Sequence, residues 1–335
     1  MRKIILLFPL FLLGCSYFQP PIQATKLMGE AQGTYYSITY FDEDSRDLQY
    51  QIDSLLDEFD MSVSLWEPNS ILSKVNNNDS SVSLDKYFID NFNISVDVAN
   101  QTKGSFDFTV GKLAKAWGFG YDETRNIDSS MIDNLLQLTG YKKVKIKNTA
   151  VVKDNPGITF DFNAVAQGYS VDMISDFLES KNIHNYLIDI GGEVKAKGTK
   201  SSGSKWKIGI EKPAENKEDE RDLKAIAQLE NVSIATSGNY RKFYVENGIR
   251  YSHTINPSTG YPALNRLLSV SVLHQSTAYA DAFATSFMVM GYKKAREFVE
   301  NNPDLEAFFI YSTNDGLYET YATQGFKKVI TEEFK

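Results

Sequence analysis

Hydrophobic and polar positions along the chain follow two different periods, which predict strands and helices. Residues 34–41 are β-branched and aromatic, a composition typical of a strand. Apolar residues recur every three to four positions in residues 48–59 and 164–181, which predicts two amphipathic helices. Further helices are predicted at residues 86–102, 131–138 and 279–290, and a short one in the segment that follows Gly104.

Short apolar runs predict further strands, at residues 143–147, 158–162, 186–190, 206–210 and 268–273. Asn247-Gly248 and Asp315-Gly316 lie between strand-forming runs, and such dipeptides favour tight hairpins. The small, hydroxyl-rich residues 235–240 predict a turn that either holds a ligand or only changes the direction of the chain. The charged residues 212–222 predict an exposed excursion. Because helices and strands are mixed without regular alternation, the predicted class is α+β.

The first residues have the pattern of an exported, lipid-anchored protein. Two basic residues precede an apolar stretch that is too short to span a bilayer, as in a signal peptide. Leu-Leu-Gly-Cys, which ends at Cys15, resembles a bacterial lipobox, in which the cysteine is lipidated. We expect a signal peptide at 1–14, a tether at 15–28 and one domain at 29–335, anchored in the bacterial envelope outside the cytoplasmic membrane. The alternative is an ordinary signal with an incidental cysteine.

The composition of the chain limits the ligands and metal sites that it can have. The chain has 335 residues, of which 42% are hydrophobic, as is typical of a globular protein. Its net charge is −8 and it has no basic block, so the sequence does not favour nucleic-acid binding. Cys15 is the only cysteine, which excludes an intramolecular disulfide and a cysteine-rich zinc site. With three histidines, a site for a hard metal ion must use oxygen ligands.

One acidic residue, Asp281, lies within the apolar helix predicted at 279–290. A buried carboxylate is costly unless it is paired or binds a metal. Thr285 lies one turn further along on the same face, and the two side-chain oxygens suit Mg²⁺, which also takes water and ligand phosphates. The alternative is that Asp281 caps its own helix, and the spacing alone favours that alternative.

Two turns suggest further sites. Gly191-Gly192 ends a predicted buried strand, and such a turn either exposes N–H groups to an anion or only reverses the chain. His253 precedes the turn at 255–260, where a histidine acts as a general base or has a structural role. His184 and His274 have no such context, and we interpret both as structural or surface residues.

A series of motifs then occurs in a fixed order from about Gly29 to the C-terminus. They are GEAQGTYYSITY, LWEPNSILSKVN, GSFDFTVGKLAKAWGFG, ITFDFNAVAQGYSVD, LIDIGGEV, IATSGNYRKF, HTINPSTGYP and ADAFAT. In content and order they resemble the ApbE family of FAD:protein FMN transferases. The resemblance implies a mixed fold similar to the T-fold-like ApbE architecture. It also implies Mg²⁺-dependent transfer of FMN from FAD to a threonine hydroxyl of an acceptor protein, with release of AMP.

The resemblance assigns residues to roles. Asp281 and Thr285 match the family's Mg²⁺ ligands, and Ala164 matches the residue that provides a backbone carbonyl, which outweighs the preference for a cap. His253 matches the histidine proposed as catalytic base. The implied FAD contacts are Gln32, Trp66, Ser105, Phe106, Asp107, Asp161, Gln167 and Ile255, with the rings of Trp66 and Phe106 packing on the flavin or the adenine.

Three positions depart from the family pattern. Gln32 stands where many members have Met, Gln167 where Lys or Glu is usual, and Asn256 in place of Asp before a proline. Asn256 can still form an Asx turn, but a carboxylate is lost there. Two other functions stay open: an FAD pyrophosphatase, in which water replaces threonine, and a non-catalytic flavin-binding lipoprotein.

Overall fold

A computed structural model describes residues 22–118, 127–213, 222–239, 254–315 and 317–334, and the backbone of two strands at 243–246 and 249–252. The strands are β1 Ala24–Ala31, β2 Thr34–Phe41, β3 Val144–Lys147, β4 Ala150–Lys153, β5 Tyr186–Ile190, β6 Glu193–Lys197, β7 Trp206–Glu211, β8 Leu223–Leu229, β9 Val232–Gly238, β10 Phe243–Glu246, β11 Ile249–Ser252, β12 Leu267–His274, β13 Glu306–Ser312, β14 Tyr318–Ala322 and β15 Ile330–Glu333. The helices are α1 Gln49–Val63, α2 Ile71–Asn76, α3 Lys86–Gln101, α4 Gly111–Ala116, α5 Ser129–Gln137, α6 Ala166–Ser180, α7 Thr277–Met290, α8 Tyr292–Glu300 and α9 Gln324–Val329. Within these residues, we find no helix long and apolar enough to cross a membrane.

An eight-stranded sheet organises the molecule, with the strand order β1-β2-β5-β6-β9-β12-β13-β14. All neighbouring strands in it are antiparallel. The strands β15, β8 and β7 form a second, three-stranded sheet, and β3-β4 and β10-β11 are separate hairpins. The antiparallel pairing explains why the sequence lacks the regular strand–helix alternation of parallel sheets.

Both faces of the large sheet are covered. Helices α6 and α7 pack side by side on one face, where α7 contacts β9 and β12 and α6 contacts β5 and β6. Helix α1 joins α6 over the β2–β5 end through Ile52 and Leu56. The three-stranded sheet covers the opposite face through a cluster that includes Trp206 and Phe308. Because central strand β12 is covered on both sides, residues that face either way along it are buried.

The predicted α+β class is confirmed, and most predicted elements lie where the sequence places them. Strands β2 and β5 have the predicted bounds, Thr34–Phe41 and Tyr186–Ile190. The backbone of β10 and β11 is paired as the Asn247-Gly248 hairpin requires, although the dipeptide itself lies outside the described residues. The charged excursion falls mainly on residues 214–221, which are also outside them.

Three predictions of local structure differ from the structure. Residues 158–162 form no strand, because the side-chain amide of Asn76 pairs with both the N–H and the carbonyl of Phe160 (2.7 and 2.9 Å) in place of a neighbouring strand. Residues 235–238 continue strand β9 instead of turning, since they pair with β12. Strand β1 begins at Ala24, inside the segment expected to be a tether, because its backbone pairs with β2 from there on.

Candidate active site

Asp281 does not cap its own helix. The N-terminus of α7 is capped by Ser276, whose Oγ accepts the N–H of Tyr279 (3.4 Å). Asp281 lies one turn further along and is only 7% exposed. Its Oδ2 accepts the N–H of Gly168, at the start of α6 (3.2 Å). The capping alternative is therefore excluded, and a buried carboxylate faces the junction of α6 and α7.

A second buried acid lies beside Asp281. Glu193, the first residue of β6, is 9% exposed. Burial raises the pKa of Asp281 to about 7. Burial, and then the charge of Asp281, raise the pKa of Glu193 well above its ordinary value. Two neighbouring carboxylates with no cation between them disfavour their own ionised forms, and a divalent cation would relieve this.

Thr285 and Ala164 add neutral oxygen atoms to the same junction. The Thr285 Oγ1 lies 3.2 Å from the Oγ of Ser237 on β9. The N–H of Gly168 donates to Asp281 and not to the carbonyl of Ala164, four residues earlier in the chain. Among the described residues, no hydrogen-bond donor contacts that carbonyl oxygen. Across the same residues, no group of three acidic, histidine or cysteine side chains converges as a ligand set. A carboxylate, a hydroxyl and a carbonyl suit Mg²⁺, which is held by one or two carboxylates and completes its shell with water and phosphate oxygens.

The turn between β5 and β6 closes one side of this junction. The N–H of Gly191 donates to the Tyr35 carbonyl (2.9 Å), and that of Gly192 donates to Asp189 (3.0 Å). Since both N–H groups are used within the protein, the turn reverses the chain and does not serve as an anion cradle. Gln167 lies directly over Gly191, where a Cβ would come within 2.1 Å of the Gln167 amide nitrogen.

Gln167 lies in the first turn of α6, and Gln32 contacts the first half of the same helix from the β1–β2 turn. The Nε2 of Gln167 donates to the carbonyl of Ile190 (2.8 Å) and to the carboxylate of Glu193. Gln32 occupies the β1–β2 turn with a positive φ of 55°, and its Oε1 accepts the hydroxyl of Ser170 (3.3 Å). The structure therefore brings these two residues, Asp281 and the Ala164 carbonyl together around the start of α6.

The residues from Ser105 to Asp107 form a second group, beside α4. Asp107 accepts the N–H and the hydroxyl of Thr109 (2.8 and 2.6 Å) and the N–H of Tyr141 (2.8 Å), while burial raises its pKa. These bonds hold the loop in place. The Phe106 ring is only 3% exposed and packs in the main core, so the expectation that it stacks on a ligand ring is not supported.

Asp161 lies next to this loop. Its N–H donates to the carbonyl of Phe108 (2.8 Å), and its carboxylate accepts the N–H of Asn163 (2.9 Å). Burial raises the pKa of Asp161. The side chain packs near Gly111 at the start of α4, where a Cβ would lie 3.5 Å from the Asp161 Cβ. The predicted FAD contacts thus form two groups, joined by residues 158–165.

The remaining predicted residues differ in exposure. Trp66 is 52% exposed, so its ring can present a face to a ligand. Ile255 is buried against Leu113 and Trp117. The Asn256 Oδ1 accepts the N–H and the hydroxyl of Ser258 (3.0 and 2.7 Å), which is the predicted Asx turn. His253 lies outside the described residues.

Sequence reasoning did not single out Glu193 or Ser237. Glu193 stands at the end of LIDIGGEV, directly after the glycine pair, and Ser237 stands within IATSGNYRKF. An acid directly after the glycine pair that ends a predicted buried strand was the available signal for Glu193. For Ser237 the signal was the hydroxyl-rich segment 235–240, which was predicted as a turn that holds a ligand or only changes the chain's direction.

The fold and this junction define a flavin-transferase class of protein. A structure of flavin transferase ApbE from Vibrio cholerae superposes with a TM-score of 0.83 at 34% identity, covering 92% of this chain and all of that one. The apo form of the Pseudomonas stutzeri flavinyl transferase ApbE gives 0.82 at 28% identity, covering 92% and 97%. The expected ApbE-like architecture is thereby confirmed.

The sequence gives the same result. Residues 32–309 match the ApbE family model. A curated FAD:protein FMN transferase from Vibrio cholerae is 35% identical over 331 residues, 96% of this chain and 97% of the relative. A second, from Haemophilus influenzae, is 31% identical and covers 93% of each. The chain belongs to the ApbE family.

Proposed function

We propose that the protein transfers FMN from FAD to a threonine hydroxyl of an acceptor protein, with Mg²⁺ bound and AMP released. As a member of the ApbE family, the chain is an enzyme, an FAD:protein FMN transferase. The observation that supports the Mg²⁺-dependent mechanism is the α6–α7 junction, where Asp281 is buried beside Glu193 and accepts one N–H. A flavin-binding protein without catalysis would have no use for such a costly arrangement.

The side chains of Asp281 and Thr285 and the carbonyl of Ala164 would hold the Mg²⁺. When bound, the ion would neutralise the negative charge that develops on the pyrophosphate as AMP leaves. Glu193 adds negative charge next to Asp281 and so strengthens the preference for a cation at this point. Gln167 fixes Glu193 and the β5–β6 turn, so the acidic group keeps one geometry.

His253 would take the proton from the acceptor threonine. FAD would lie between the two groups of residues described above, with the exposed Trp66 ring against one of its ring systems. Phe106, Asp107 and Ile255 would contact FAD through the backbone or support the loop, because their side chains are buried in the protein. Ser105, Asp161, Gln167 and Gln32 complete the proposed contacts.

We also propose that Cys15 carries the lipid anchor and that the domain works on the outer side of the cytoplasmic membrane. Two features of the sequence support the anchor: the leader, in which basic residues precede an apolar stretch, and the Leu-Leu-Gly-Cys sequence. The acceptor would then be an envelope protein or a domain exposed there.

The function is tested with Asp281→Asn, which keeps the size of the side chain and removes its charge. With FAD, Mg²⁺ and a threonine-bearing acceptor protein, mass spectrometry should show FMN on the acceptor for the parent chain and none for the variant. The exposed Glu297 on α8 provides a matched control, and Glu297→Gln should transfer at the parental rate. Full transfer by Asp281→Asn in EDTA would contradict the metal role. FMN and AMP formed with no labelled acceptor would instead support a pyrophosphatase.

A further inference from the structure

We propose that Asp172, on α6, is a positioning residue that fixes the metal-binding helix α7. The inference rests on the proposed function, because it concerns the helix that carries Asp281 and Thr285. It assigns a role to a partly buried acid that neither contacts the proposed ligands nor belongs to the FAD contacts.

The carboxylate of Asp172 lies at the N-terminus of α7. One oxygen, Oδ1, accepts hydrogen bonds from the N–H and the hydroxyl of Thr277 (3.0 and 3.1 Å). The same oxygen accepts a third hydrogen bond, from the Nζ of Lys195 (2.8 Å). The other, Oδ2, accepts the hydroxyl of Ser276 (2.6 Å) and the N–H of Ala278 (3.1 Å). The side chain is 17% exposed. All its acceptor capacity is therefore used within the protein, so Asp172 positions other residues and does not bind substrate.

A second contact between the helices runs in the opposite direction. Asp281, on α7, accepts the N–H of Gly168, on α6. Gly168 precedes Asp172 by four residues, and Thr277 precedes Asp281 by four. Each helix therefore contributes one acid to the backbone of the other, and the two contacts are separated by one turn on both helices. A shift of α7 along α6 breaks both contacts together.

The charge of Asp172 is part of the argument. The first N–H groups of a helix have no partner within the helix and carry partial positive charge, so an anion there stabilises the helix and fixes its position. A carboxylate offers acceptors to two amides and two hydroxyls at once, whereas an asparagine would turn an N–H donor toward some of these donors. Asp172→Asn should thus loosen the position of Asp281 and Thr285 while keeping the volume of the side chain.

The test measures the metal site directly, in the full-length chain purified in detergent. Binding of Mn²⁺ in the presence of FAD is followed by electron paramagnetic resonance, and the Mg²⁺ dependence of FMN transfer is followed in parallel. We expect Asp172→Asn to weaken Mn²⁺ binding and to raise the Mg²⁺ concentration for half-maximal transfer by about tenfold or more. Loss of a residue that orients the metal ligands typically has an effect of this size. At saturating Mg²⁺ the transfer rate should return close to the parental rate.

Asp42→Asn is the matched control. Asp42 is more deeply buried than Asp172, at 4% exposure, and accepts a comparable set of bonds, from Arg46 and the N–H of Asp44, but it lies after β2 and away from α7. A purely structural loss would lower stability in both variants and leave the metal constants unchanged. Unchanged Mn²⁺ affinity in a folded Asp172→Asn chain overturns the proposal.

Two further variants keep the outcome decisive. If Asp172→Asn does not fold, Ser276→Ala removes the 2.6 Å contact with Asp172, together with the cap on the Tyr279 N–H, and leaves the other bonds of Asp172 in place. It should still weaken Mn²⁺ binding, and parental affinity there overturns the proposal. Asp281→Asn separates this inference from the function on which it rests. If that variant binds Mn²⁺ as the parent does, the metal site itself is misplaced. If it loses Mn²⁺ while Asp172→Asn binds normally, only the positioning role is wrong.

Discussion

Two buried acids in the site show how an acid that supports the fold differs from one that is able to bind a ligand. Asp107 accepts two hydrogen bonds from Thr109 in its own loop and one from the N–H of Tyr141, and these use both of its oxygens. Asp281 accepts one N–H, on one oxygen, and lies beside another acid. Spare acceptor capacity together with unrelieved charge indicates a cation site, whereas a saturated carboxylate indicates a structural one. The sequence shows both residues as acids among apolar neighbours and does not separate them.

His253 gives the first prediction at this scale. A general base contributes about 10²–10⁴ to a rate, so His253→Ala should lower FMN transfer by about that factor. FAD affinity should be preserved, because the proposed metal ligands and the Trp66 ring contact lie on other segments. Single-turnover transfer and FAD binding are measured together, with the exposed His184→Ala as control. Loss of FAD binding along with transfer would make His253 a ligand contact and not a base.

Asp60, outside the site, gives a prediction of pH dependence. Burial on α1, and then the charge of Asp57, raise the pKa of Asp60 to about 6. The folded state therefore favours the protonated form, so this contribution to stability is full below the unfolded pKa near 4 and is lost as the pH rises through 6. Asp60→Asn should melt at a higher temperature than the parent at pH 8, and the difference should disappear near pH 4.

Thermal unfolding across this pH range is the measurement. Glu58→Gln, an exposed change on the same helix, should leave the shape of the stability profile unchanged. A constant difference between Asp60→Asn and the parent at every pH would mean that packing, and not ionisation, causes the effect.

At the scale of elements, the contact between α6 and α7 depends on one glycine. A Cβ on Gly168 would lie 2.5 Å from the carbonyl oxygen of Thr277, which is backbone and cannot move away cheaply. Gly168→Ala should therefore push the helices apart, lower the free energy of unfolding by about 1–3 kcal/mol and weaken transfer more than stability alone explains.

Gly209→Ala on β7 is a suitable comparison. Its Cβ would also be too close to a neighbour, at 2.6 Å, but that neighbour is the flexible end of the exposed Leu223 side chain. Urea unfolding and Mg²⁺-dependent transfer are measured for both variants. Equal effects on transfer would show that close packing of α6 on α7 has no special role.

Elements with their own periodicity could be predicted from the sequence, and elements defined by a partner could not. Helix α7 and strand β2 were predicted because an apolar run or a β-branched run is visible locally. Residues 158–162 alternate between buried and partly buried, as in a strand, but Asn76, 84 residues away from Phe160, takes the place of the neighbouring strand. The small residues 235–238 carry no strand signal, and the pairing with β12 places them in the sheet.

The same distinction applies to the site. Asp281 and Thr285 were found from a four-residue spacing, and the family resemblance added the residues of other segments. The closeness of Glu193 to Asp281, and the two-way contact between α6 and α7, join residues more than 80 positions apart. No local pattern encodes such a distance, so these features required the fold.

At the scale of the whole molecule, the proposed site and the start of β1 lie at opposite ends of the large sheet. Gln32, the β5–β6 turn and Ser237 stand at one end, as the pairing of Ala31 with Thr34 and of Ile190 with Glu193 requires. Ala24 pairs with Phe41 at the other end. The length of β1 separates them by about 25 Å. A lipid anchor before β1 would thus hold the molecule by the end that is remote from the site.

This arrangement gives the last prediction, which concerns Cys15. Cys15→Ser removes the thiol that lipidation needs, so acyl label should not be incorporated and the precursor should keep its leader. Because the start of β1, the described strand that follows Cys15, is remote from the site, the purified variant should transfer FMN to a soluble acceptor at the parental rate. Radiolabelled palmitate incorporation in cells and single-turnover transfer in solution are the measurements. Acyl label on the Cys15→Ser chain would contradict the anchor, and a loss of transfer in solution would show that the N-terminal segment reaches the site.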